Sequence, residues 1–211
     1  MLLMDARSPV KTYFDKVAGT YQMASAKSLW ARFRRRESSA LLGMIETVEG
    51  KSVLELGCGA GYYTRCLLGA GARHIVAVDI SDRMLSALPP LRVEPVRADA
   101  AQLNLGRHFD LIVSAGMLEF VPDPEAVLLA AAYHADPGTV FLLLFPTRSL
   151  LGRIYALFHL SHGITISLFD RDRLARIAQR SGWALERIAP ASPFSACARL
   201  VVADSNAGPA P

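Results

Sequence analysis

The chain has 211 residues, long enough for one domain with a sizeable core, and 52% of them are hydrophobic. No uninterrupted apolar stretch approaches the roughly 20 residues that a membrane-spanning helix needs. The net charge is +4. The three cysteines form neither an even set for disulfides nor a CxxC metal motif, so we expect a cytoplasmic protein.

Two helical segments are predicted before the first strand. Val10 to Tyr21 mixes aromatic and charged residues in a helix-like pattern, and in Leu29 to Thr47 apolar residues recur close to the helical period. The second segment carries the densest basic cluster, Arg32 to Arg36. A solvated helix face explains this cluster most simply, while a nucleic-acid surface and an anionic lipid contact are the alternatives.

The motif VLELGCGAG at residues 53–61 joins a predicted strand, Ser52 to Leu56, to a predicted helix, Tyr62 to Ala70. Three glycines alternate with small residues inside it: Gly57, Gly59 and Gly61. Such glycines let a strand turn sharply into a helix and let the backbone approach a ligand closely. A dinucleotide fingerprint would need its third glycine where Tyr62 stands, so that motif is not met.

Acidic residues follow the next two predicted strands. His74 to Val78 ends in Asp79, about 20 residues after the glycine turn, where a carboxylate can accept hydrogen bonds from ribose hydroxyls. Val93 to Arg97 is the third strand, and Asp99 comes shortly after it. Because parallel strands end at the same edge of a sheet, these acids are predicted to share one crevice.

The second half of the chain completes the sheet. Strands are predicted at Phe109 to Ser114, Val140 to Phe145, Ala184 to Ile188 and Cys197 to Ala203, the last two as antiparallel edge strands. The segment from Val140 to Phe145 is entirely apolar, as expected of a central strand buried on both faces.

Helices and turns are predicted between these strands. Glu125 to His134 is a helix, Pro137-Gly138 is a turn, and Arg171 to Ser181 is a helix capped by Asp170. Between them, the segment 150–160 carries seven large apolar residues, which are too many for an ordinary exposed face.

These motifs, in this order, resemble those of the class I S-adenosylmethionine-dependent methyltransferases. The matching features are the glycine run preceded by Glu55, the acid at Asp79 followed by ISDRML, the Asp99-Ala100 pair and the strand FDLIVS. The resemblance implies an α/β, Rossmann-like fold with a seven-stranded, mostly parallel sheet, helices on both faces and an antiparallel edge strand. It further implies S-adenosylmethionine as the cofactor.

The resemblance also implies how the chain is divided. A single methyltransferase domain is expected over residues 1–204, with an N-terminal helical lid at 10–47 and a variable, acceptor-side insertion at 147–181. Residues 205–211 are expected to form a flexible tail.

A cofactor site follows from the resemblance, with Asp79 holding the ribose and Asp99 the adenine. The expected cofactor-binding residues lie in the lid or at the ends of strands: Tyr13, Tyr21, Glu55, Gly57, Cys58, Gly59, Gly61, Asp79, Ile80, Met84, Asp99, Ala100, Ser114, Ala115 and Gly116.

The acceptor is predicted to be a small apolar or aromatic molecule methylated on oxygen or carbon. The chain has no DPPY-like motif after the fourth strand and no Pro-Cys pair, so a nucleic-acid acceptor is disfavoured. Met117 to Pro124 resembles quinone-pathway O-methyltransferases, but only Glu119 matches their metal-associated acids and histidine, and no metal site is predicted. Glu119 and His162 are the candidate catalytic residues, with His159 as an alternative polar group.

The apolar segment 150–160 has two interpretations. It forms a lid that closes, together with the helix at 10–21, over a hydrophobic acceptor, or it rests on a membrane and places the protein at the periphery of the inner membrane. The segment also resembles magnesium-protoporphyrin methyltransferases, so a tetrapyrrole carboxylate is the specific alternative acceptor. A nucleic-acid methyltransferase and a non-catalytic cofactor-binding module are the remaining alternatives.

Overall fold

The computed structural model describes residues 10, 12, 13 and 29–203, and the secondary structure is as follows. The seven strands are β1 (Ser52–Leu56), β2 (His74–Asp79), β3 (Val93–Arg97), β4 (Phe109–Ala115), β5 (Ala135–Pro146), β6 (Trp183–Pro190) and β7 (Ser195–Val202). The helices are α1 (Leu29–Leu42), α2 (Tyr62–Gly69), α3 (Asp82–Leu85), α4 (Pro124–Ala132), α5 (Leu150–Ser161) and α6 (Arg171–Arg180). Two 3-10 helices lie at Ala100–Gln102 and Leu118–Phe120.

All seven strands belong to one sheet in the order β3-β2-β1-β4-β5-β7-β6. The pairs from β3 to β5 are parallel, whereas β7 pairs antiparallel with both β5 and β6. The predicted seven-stranded, mostly parallel sheet is therefore confirmed. The antiparallel strand lies second from the edge, with β6 outside it.

Helices cover both faces of the sheet, as predicted. Side chains alternate along β1, so Leu54 and Leu56 face the layer of α4 and α6, while Val53 faces the layer of α1 and α2. Central strands buried on both sides contain almost only apolar residues, which explains the continuous apolar pattern of β5. From β1, the strands are added outward on one side up to β3, and from β4 they are added on the other side. The order of the strands therefore reverses between β1 and β4. In open α/β sheets, ligands bind at such a switch point, beyond the carboxyl ends of the strands.

Two predicted boundaries differ from the structure by more than two residues. Helix α1 ends at Leu42 rather than Thr47, because the backbone amides of Met44 and Ile45 bond to carbonyls three residues back and form tight turns. Strand β5 begins at Ala135, so Pro137-Gly138 lies inside the strand rather than in a turn before it. The register shifts at this point, and Gly138 has a φ of 98°, so the dipeptide forms an irregularity within the ladder.

The predicted N-terminal helix at 10–21 is only partly within the described residues. Val10, Thr12 and Tyr13 are helical, and the rest of the segment lies outside the described residues, as does the tail at 205–211.

Helix α5 begins at the cap Ser149, whose hydroxyl accepts a hydrogen bond from Gly152. A Cβ at Gly152 would overlap the carbonyl oxygen of Thr147, so only glycine lets the helix approach the end of β5 this closely. His159 is buried on the inner side, whereas six large apolar residues are exposed: Leu150, Leu151, Ile154, Leu157, Phe158 and Leu160. Within the described residues, no helix is long and apolar enough to cross a membrane.

Candidate active site

The glycine loop after β1 is held against the end of β2 by its own backbone. The amides of Gly57 and Cys58 both donate to the carbonyl of Val78, at 2.8 and 3.0 Å. Gly57 has a φ of 72°, and a Cβ there would collide with the side chain of Met117. At Gly59, where φ is 52°, a Cβ would meet nothing within 4 Å, so the backbone borders open space.

Asp79 connects this loop to the following helix. One carboxylate oxygen accepts a hydrogen bond from the amide of Gly59, and the other accepts one from the amide of Ser81, both at 2.9 Å. Ser81 in turn caps α3 by accepting from the amide of Met84. The acid therefore lies at the meeting point of the glycine loop, β2 and α3.

Asp99 occupies the equivalent position after β3. Its carboxylate caps the first 3-10 helix by accepting from the amide of Ala101 at 3.0 Å. The amide of Ala98, just before it, donates to the carbonyl of Asp79 at 3.1 Å. The ends of β2 and β3 are thus bound to each other, which brings both acids to the same edge of the sheet.

A cavity of about 1000 Å³, the first cavity, opens at this edge. Ten of the predicted cofactor-binding residues line it: Gly57, Cys58, Gly59, Asp79, Ile80, Met84, Asp99, Ala100, Ala115 and Gly116. Its walls combine glycine backbone, the carboxylates of Asp79, Asp99 and Asp123, and apolar side chains, which suits a nucleoside with a polar sugar and a flat base. Burial raises the pKa of the Cys58 thiol, so this cysteine stays protonated and is a poor nucleophile.

Three of the predicted cofactor-binding residues do not line the first cavity. Glu55 is buried beneath the glycine loop, where its carboxyl accepts a hydrogen bond from the Thr64 hydroxyl at 2.7 Å. Gly61 is the N-cap of α2. Ser114 is fully buried, and its hydroxyl has no hydrogen-bond partner among the described residues.

The two predicted lid tyrosines have different outcomes. Tyr13 lies in a second cavity rather than the first, and Tyr21 lies outside the described residues. Val10, one helical turn before Tyr13, does line the first cavity.

A second cavity of about 400 Å³ adjoins the first, and its walls are mainly aromatic. The rings come from seven parts of the chain: Tyr13, Phe33, Tyr63, Phe120, Phe145, Tyr155 with Phe158, and Phe194. Its acid and imidazole groups are Glu37, Glu119 and His159. Five residues line both cavities: Arg34, Tyr63, Ala115, Gly116 and Phe120.

Glu119 lies close to the boundary between the cavities. One carboxyl oxygen lies 3.9 Å from the position that a Cβ on Gly116 would take, and Gly116 lines both cavities. The other oxygen is buried without a hydrogen-bond partner among the described residues. Burial, helped by the charge of Glu37, raises the pKa of Glu119 to about 8, against the opposing hydrogen bond from its own backbone amide.

The two candidate histidines differ in position. His159 is buried in the second cavity, and its Nδ1 has no partner among the described residues. Burial and the nearby His162 lower the pKa of His159 to about 4, so its imidazole is neutral near pH 7. His162 lies outside both cavities, exposed at the end of α5 and bonded to the carbonyl of Phe158. His159 therefore takes the place in the cavity that was predicted for His162.

Leu157 and its apolar neighbours on α5 do not close over the second cavity. Leu150, Leu151, Ile154, Leu157 and Leu160 are exposed and line neither cavity. Tyr155, His159 and the partly exposed Phe158 contribute to the wall of the second cavity. The sequence pattern correctly predicted a helix over this segment. Which side of the helix faces the cavity depends on how the helix packs against the end of β5, and this packing includes the close contact at Gly152.

Three residues of α1 line the cavities, Phe33, Arg34 and Glu37, and sequence reasoning assigned none of them to the site. Arg34 lines both, with its guanidinium 5.2 Å from the centre of the Tyr62 ring. Glu37 is buried in the second cavity and bonded to Ser195. Their spacing of three residues places both on one side of a helix, and an acid among arginines was the available signal. Within the described residues, no group of three or more potential ligand side chains is placed to hold a metal ion.

Comparisons with known proteins agree with this geometry. A family model described as "Methyltransferase domain" matches residues 26–188. The ubiquinone biosynthesis O-methyltransferase of Aromatoleum aromaticum is 33% identical over 97 residues, covering 42% of this chain and 41% of that protein. The enzyme of the same name from Methylococcus capsulatus is 27% identical over 149 residues, covering 65% and 62%. The chain thus spans less than two thirds of the length of these relatives.

Solved structures show the same fold. Magnesium protoporphyrin IX methyltransferase from Synechocystis PCC 6803, with bound SAH, has a TM-score of 0.74 at 19% identity, covering 93% of this chain and 100% of that one. A possible histamine N-methyltransferase from Thermotoga maritima has a TM-score of 0.75 at 19% identity, covering 90% and 98%. At these identities, the likeness concerns the fold alone.

The buried carboxyl of Glu55 leads to a prediction about stability. Burial raises its pKa to about 8 from an ordinary 4.5, so the stability contributed by its protonated form is fully present below about pH 4.5 and is lost as the pH rises through about 8. Glu55→Gln stays neutral and can keep the bond to Thr64. We expect it to match the wild type in urea unfolding near pH 5 and to be more stable than the wild type near pH 9.

The matched control is Glu46→Gln, at an exposed glutamate. It should leave the pH dependence of the unfolding midpoint unchanged. Parallel curves for wild type and Glu55→Gln across this pH range would contradict the assignment of a protonated buried carboxyl.

Proposed function

The chain belongs to the S-adenosylmethionine-dependent methyltransferases, and we propose that it methylates a small apolar or aromatic acceptor held in the second cavity. The observation that carries this proposal is that the two cavities adjoin and share the walls at Ala115, Gly116 and Phe120. Transfer of a methyl group requires donor and acceptor atoms in line and in contact, and adjoining cavities allow that alignment.

The first cavity suits the cofactor in shape and charge. S-adenosylmethionine supplies a methyl group already activated on a sulfonium, so the protein's task is to bind and orient it. We expect Asp79 to accept hydrogen bonds from the ribose hydroxyls and Asp99 to receive the adenine amino group, between the apolar side chains of Ile80 and Met84. Gly59 leaves room for the backbone to approach the ligand.

Arg34 is the cation we assign to the carboxylate of the cofactor's methionine half. Among the described residues, the basic side chains that line the first cavity are Arg34 and Arg65. The guanidinium of Arg65 donates to the carbonyls of Ala60, Gly61 and Ala87, whereas Arg34 lines both cavities and so lies where the donor and acceptor sites meet. A guanidinium and a carboxylate form a strong charge-assisted pair when partly shielded from water.

The second cavity favours an apolar ring with few polar groups. Its volume of about 400 Å³ is small, its walls are mostly aromatic, and its acids and imidazole lie among those rings. Sites of this kind bind flat, largely apolar molecules and use a few polar groups for orientation. Residues 147–181, the proposed acceptor-side insertion, contribute Tyr155, Phe158 and His159 to it.

A carboxylate acceptor finds less support than a hydroxyl or ring carbon. Glu37 and Glu119 already bring two acids into the second cavity, and a third carboxylate beside them would be repelled and desolvated. A four-ring macrocycle would also need more space than a single aromatic ring. The tetrapyrrole alternative therefore ranks behind a phenol-like acceptor.

Glu119 is our candidate for the general base. It lies near the boundary of the cavities, and its second carboxyl oxygen is buried without a partner among the described residues. A base works best when its pKa lies near the working pH, and the pKa of about 8 satisfies that condition. Neutral His159 is a second group that can hydrogen-bond the acceptor.

The exposed side of α5 is proposed to contact a membrane surface. Leu150 and Leu157 are 75% and 63% exposed there, and exposed apolar patches of this kind mark interaction sites. The helix contains no acidic residue, while Arg153 lies among the apolar residues and Arg148 lies just before them. Apolar side chains flanked by arginines are typical of helices that lie on anionic bilayers.

The first prediction of the proposed function concerns cofactor binding. Asp79→Ala removes the carboxylate that we assign to the ribose and that also anchors Gly59. Since hydrogen bonds to a charged group contribute about 1.5–3 kcal/mol, affinity for S-adenosylhomocysteine should fall at least tenfold in calorimetry. Asp82→Ala, at an exposed residue of the next helix, serves as the control and should bind like the wild type. Equal affinity of Asp79→Ala and wild type would refute the assigned site.

The second prediction tests the reaction. Release of S-adenosylhomocysteine should occur with phenols or quinols from a panel that also includes aromatic carboxylates. Glu119→Gln should lower kcat about 100-fold while leaving cofactor affinity close to that of the wild type, because it removes the base alone. Since the base must be ionised, wild-type kcat should rise with pH through about 8, and the variant should lose this rise.

Two results would count against this assignment. Turnover by Glu119→Gln at the wild-type rate would remove Glu119 from the chemistry. Cofactor binding by the wild type without turnover of any panel member would favour the non-catalytic module.

The third prediction separates the membrane contact from acceptor binding. Leu157→Asp places a charge on the exposed side of α5, so flotation with anionic vesicles should be lost while activity on a water-soluble acceptor is retained. Leu91→Asp, at an equally exposed leucine far along the chain, should float normally. Loss of activity in Leu157→Asp with flotation unchanged would instead make this side chain part of the acceptor site.

A further inference from the structure

The second cavity has to release a proton during the proposed reaction. Methylation of an O–H or aromatic C–H group forms a bond from oxygen or carbon to the methyl group, breaks the bond from sulfur to that methyl group, and frees the acceptor's proton. Glu119 can take this proton, but both it and His159 are buried among aromatic rings. A proton held on Glu119 must then reach the solvent before the next turnover.

A chain of hydrogen bonds leads from the second cavity towards the surface. Glu37, 8% exposed and lining the cavity, accepts a hydrogen bond from the hydroxyl of Ser195 at 2.6 Å. The hydroxyls of Ser195 and Ser192 are also 2.6 Å apart, and either of them can donate. Ser195 is buried and Ser192 is half-buried, so the chain runs outward.

The turn between β6 and β7 holds both hydroxyls in place. The amides of Ala191 and Ser192 donate to the carbonyl of Ser195, at 3.0 and 3.2 Å. The amide of Phe194 donates to the Ser192 hydroxyl, and Phe194 itself forms part of the cavity wall. The hydroxyls are therefore positioned by backbone contacts and do not depend on a bound molecule.

We propose that Glu37, Ser195 and Ser192 form a relay that carries the proton of the methylated group out of the second cavity. This inference rests on the proposed function. When Glu37 is ionised, the hydroxyls donate inward to it. When Glu37 accepts the proton from Glu119 across the second cavity, which both acids line, the hydrogen bonds reverse. Glu37 then donates to Ser195, Ser195 donates to Ser192, and Ser192 releases a proton to water. No other reactant is needed.

The charged groups around Glu37 fit this role. Glu119, from the segment after β4, lines the same cavity, and besides burial the charge of Glu37 raises its pKa. Two such carboxyl groups favour sharing one proton, so ionisation of one favours protonation of the other. Arg34, on the same helix, favours the ionised form of Glu37, as do the two serine hydroxyls. Neutral His159 from α5 adds no charge near pH 7. Burial opposes these effects and raises the pKa of Glu37.

The test uses the phenol or quinol that the wild type methylates and measures kcat, KM and the solvent deuterium isotope effect on kcat. Ser195→Ala and Ser192→Ala should each lower kcat about tenfold or more, since general acid–base steps contribute at least that much. The isotope effect should increase because proton exit becomes rate-limiting, and KM should change little. Added imidazole should restore part of the rate of Ser192→Ala, whose missing hydroxyl lies nearest the solvent.

Ser192→Ala is the decisive variant, because Ser192 does not line either cavity and its loss should not disturb acceptor binding. Ser39→Ala, at an exposed serine on the helix that carries Glu37, is the matched control and should behave like the wild type. Glu37→Gln should reproduce the larger isotope effect. Calorimetric affinity for S-adenosylhomocysteine confirms that each variant is folded.

The outcomes are distinguishable. If the wild type is active while both serine variants and Glu37→Gln retain its kcat and its isotope effect, the relay is overturned and the proposed function stands. If the wild type methylates no acceptor of the panel, the proposed function fails and the relay fails with it.

Discussion

The hydrogen bond from the Gly59 amide to the Asp79 carboxylate is the contact on which the rest of the site depends. It joins the loop after β1 to the end of β2, two strands that are already paired along their length. The loop can make this bond only because Gly57 and Gly59 accept positive φ values, which most other residues rarely adopt. A carboxylate fixed in this way by backbone amides needs little reorganisation when a ligand arrives, so the site is largely preformed.

The two cavities are built by different means. Loops at the carboxyl ends of parallel strands form most of the first cavity, and the register of the sheet sets their positions. The second cavity combines the end of β5 and Tyr13 with α1, α2, α5, the segment after β4 and the turn before β7, which tertiary packing brings together. Such an arrangement allows the acceptor side to vary while the cofactor side stays the same, as is common for folds that serve many reactions.

This division explains what could be predicted from the sequence. Strand β1, the helix cap at Asp170 and the lining of the first cavity by Asp79 and Asp99 follow from local patterns, namely an apolar run before glycines, a capping residue and acids at the ends of strands. The burial of Glu37 and of His159 could not be predicted from such patterns, because each depends on where a whole helix packs. The role of Glu55 could not be predicted either, because it depends on a tertiary contact. Its carboxyl bonds to Thr64 on α2 and does not line the first cavity.

The position of β7 also determines when the fold can be completed. Val140 of β5 pairs with Val201, so the apolar edge of β5 has no strand partner until the chain has been synthesised beyond β7. Strand β6, made earlier, likewise pairs with β7 and has no neighbour before it arrives. On the ribosome, the nascent chain therefore exposes an unpaired apolar strand edge, a feature that favours chaperone binding and aggregation. Insertion of this one strand closes that edge and brings Ser195 to Glu37 in the same late step of folding.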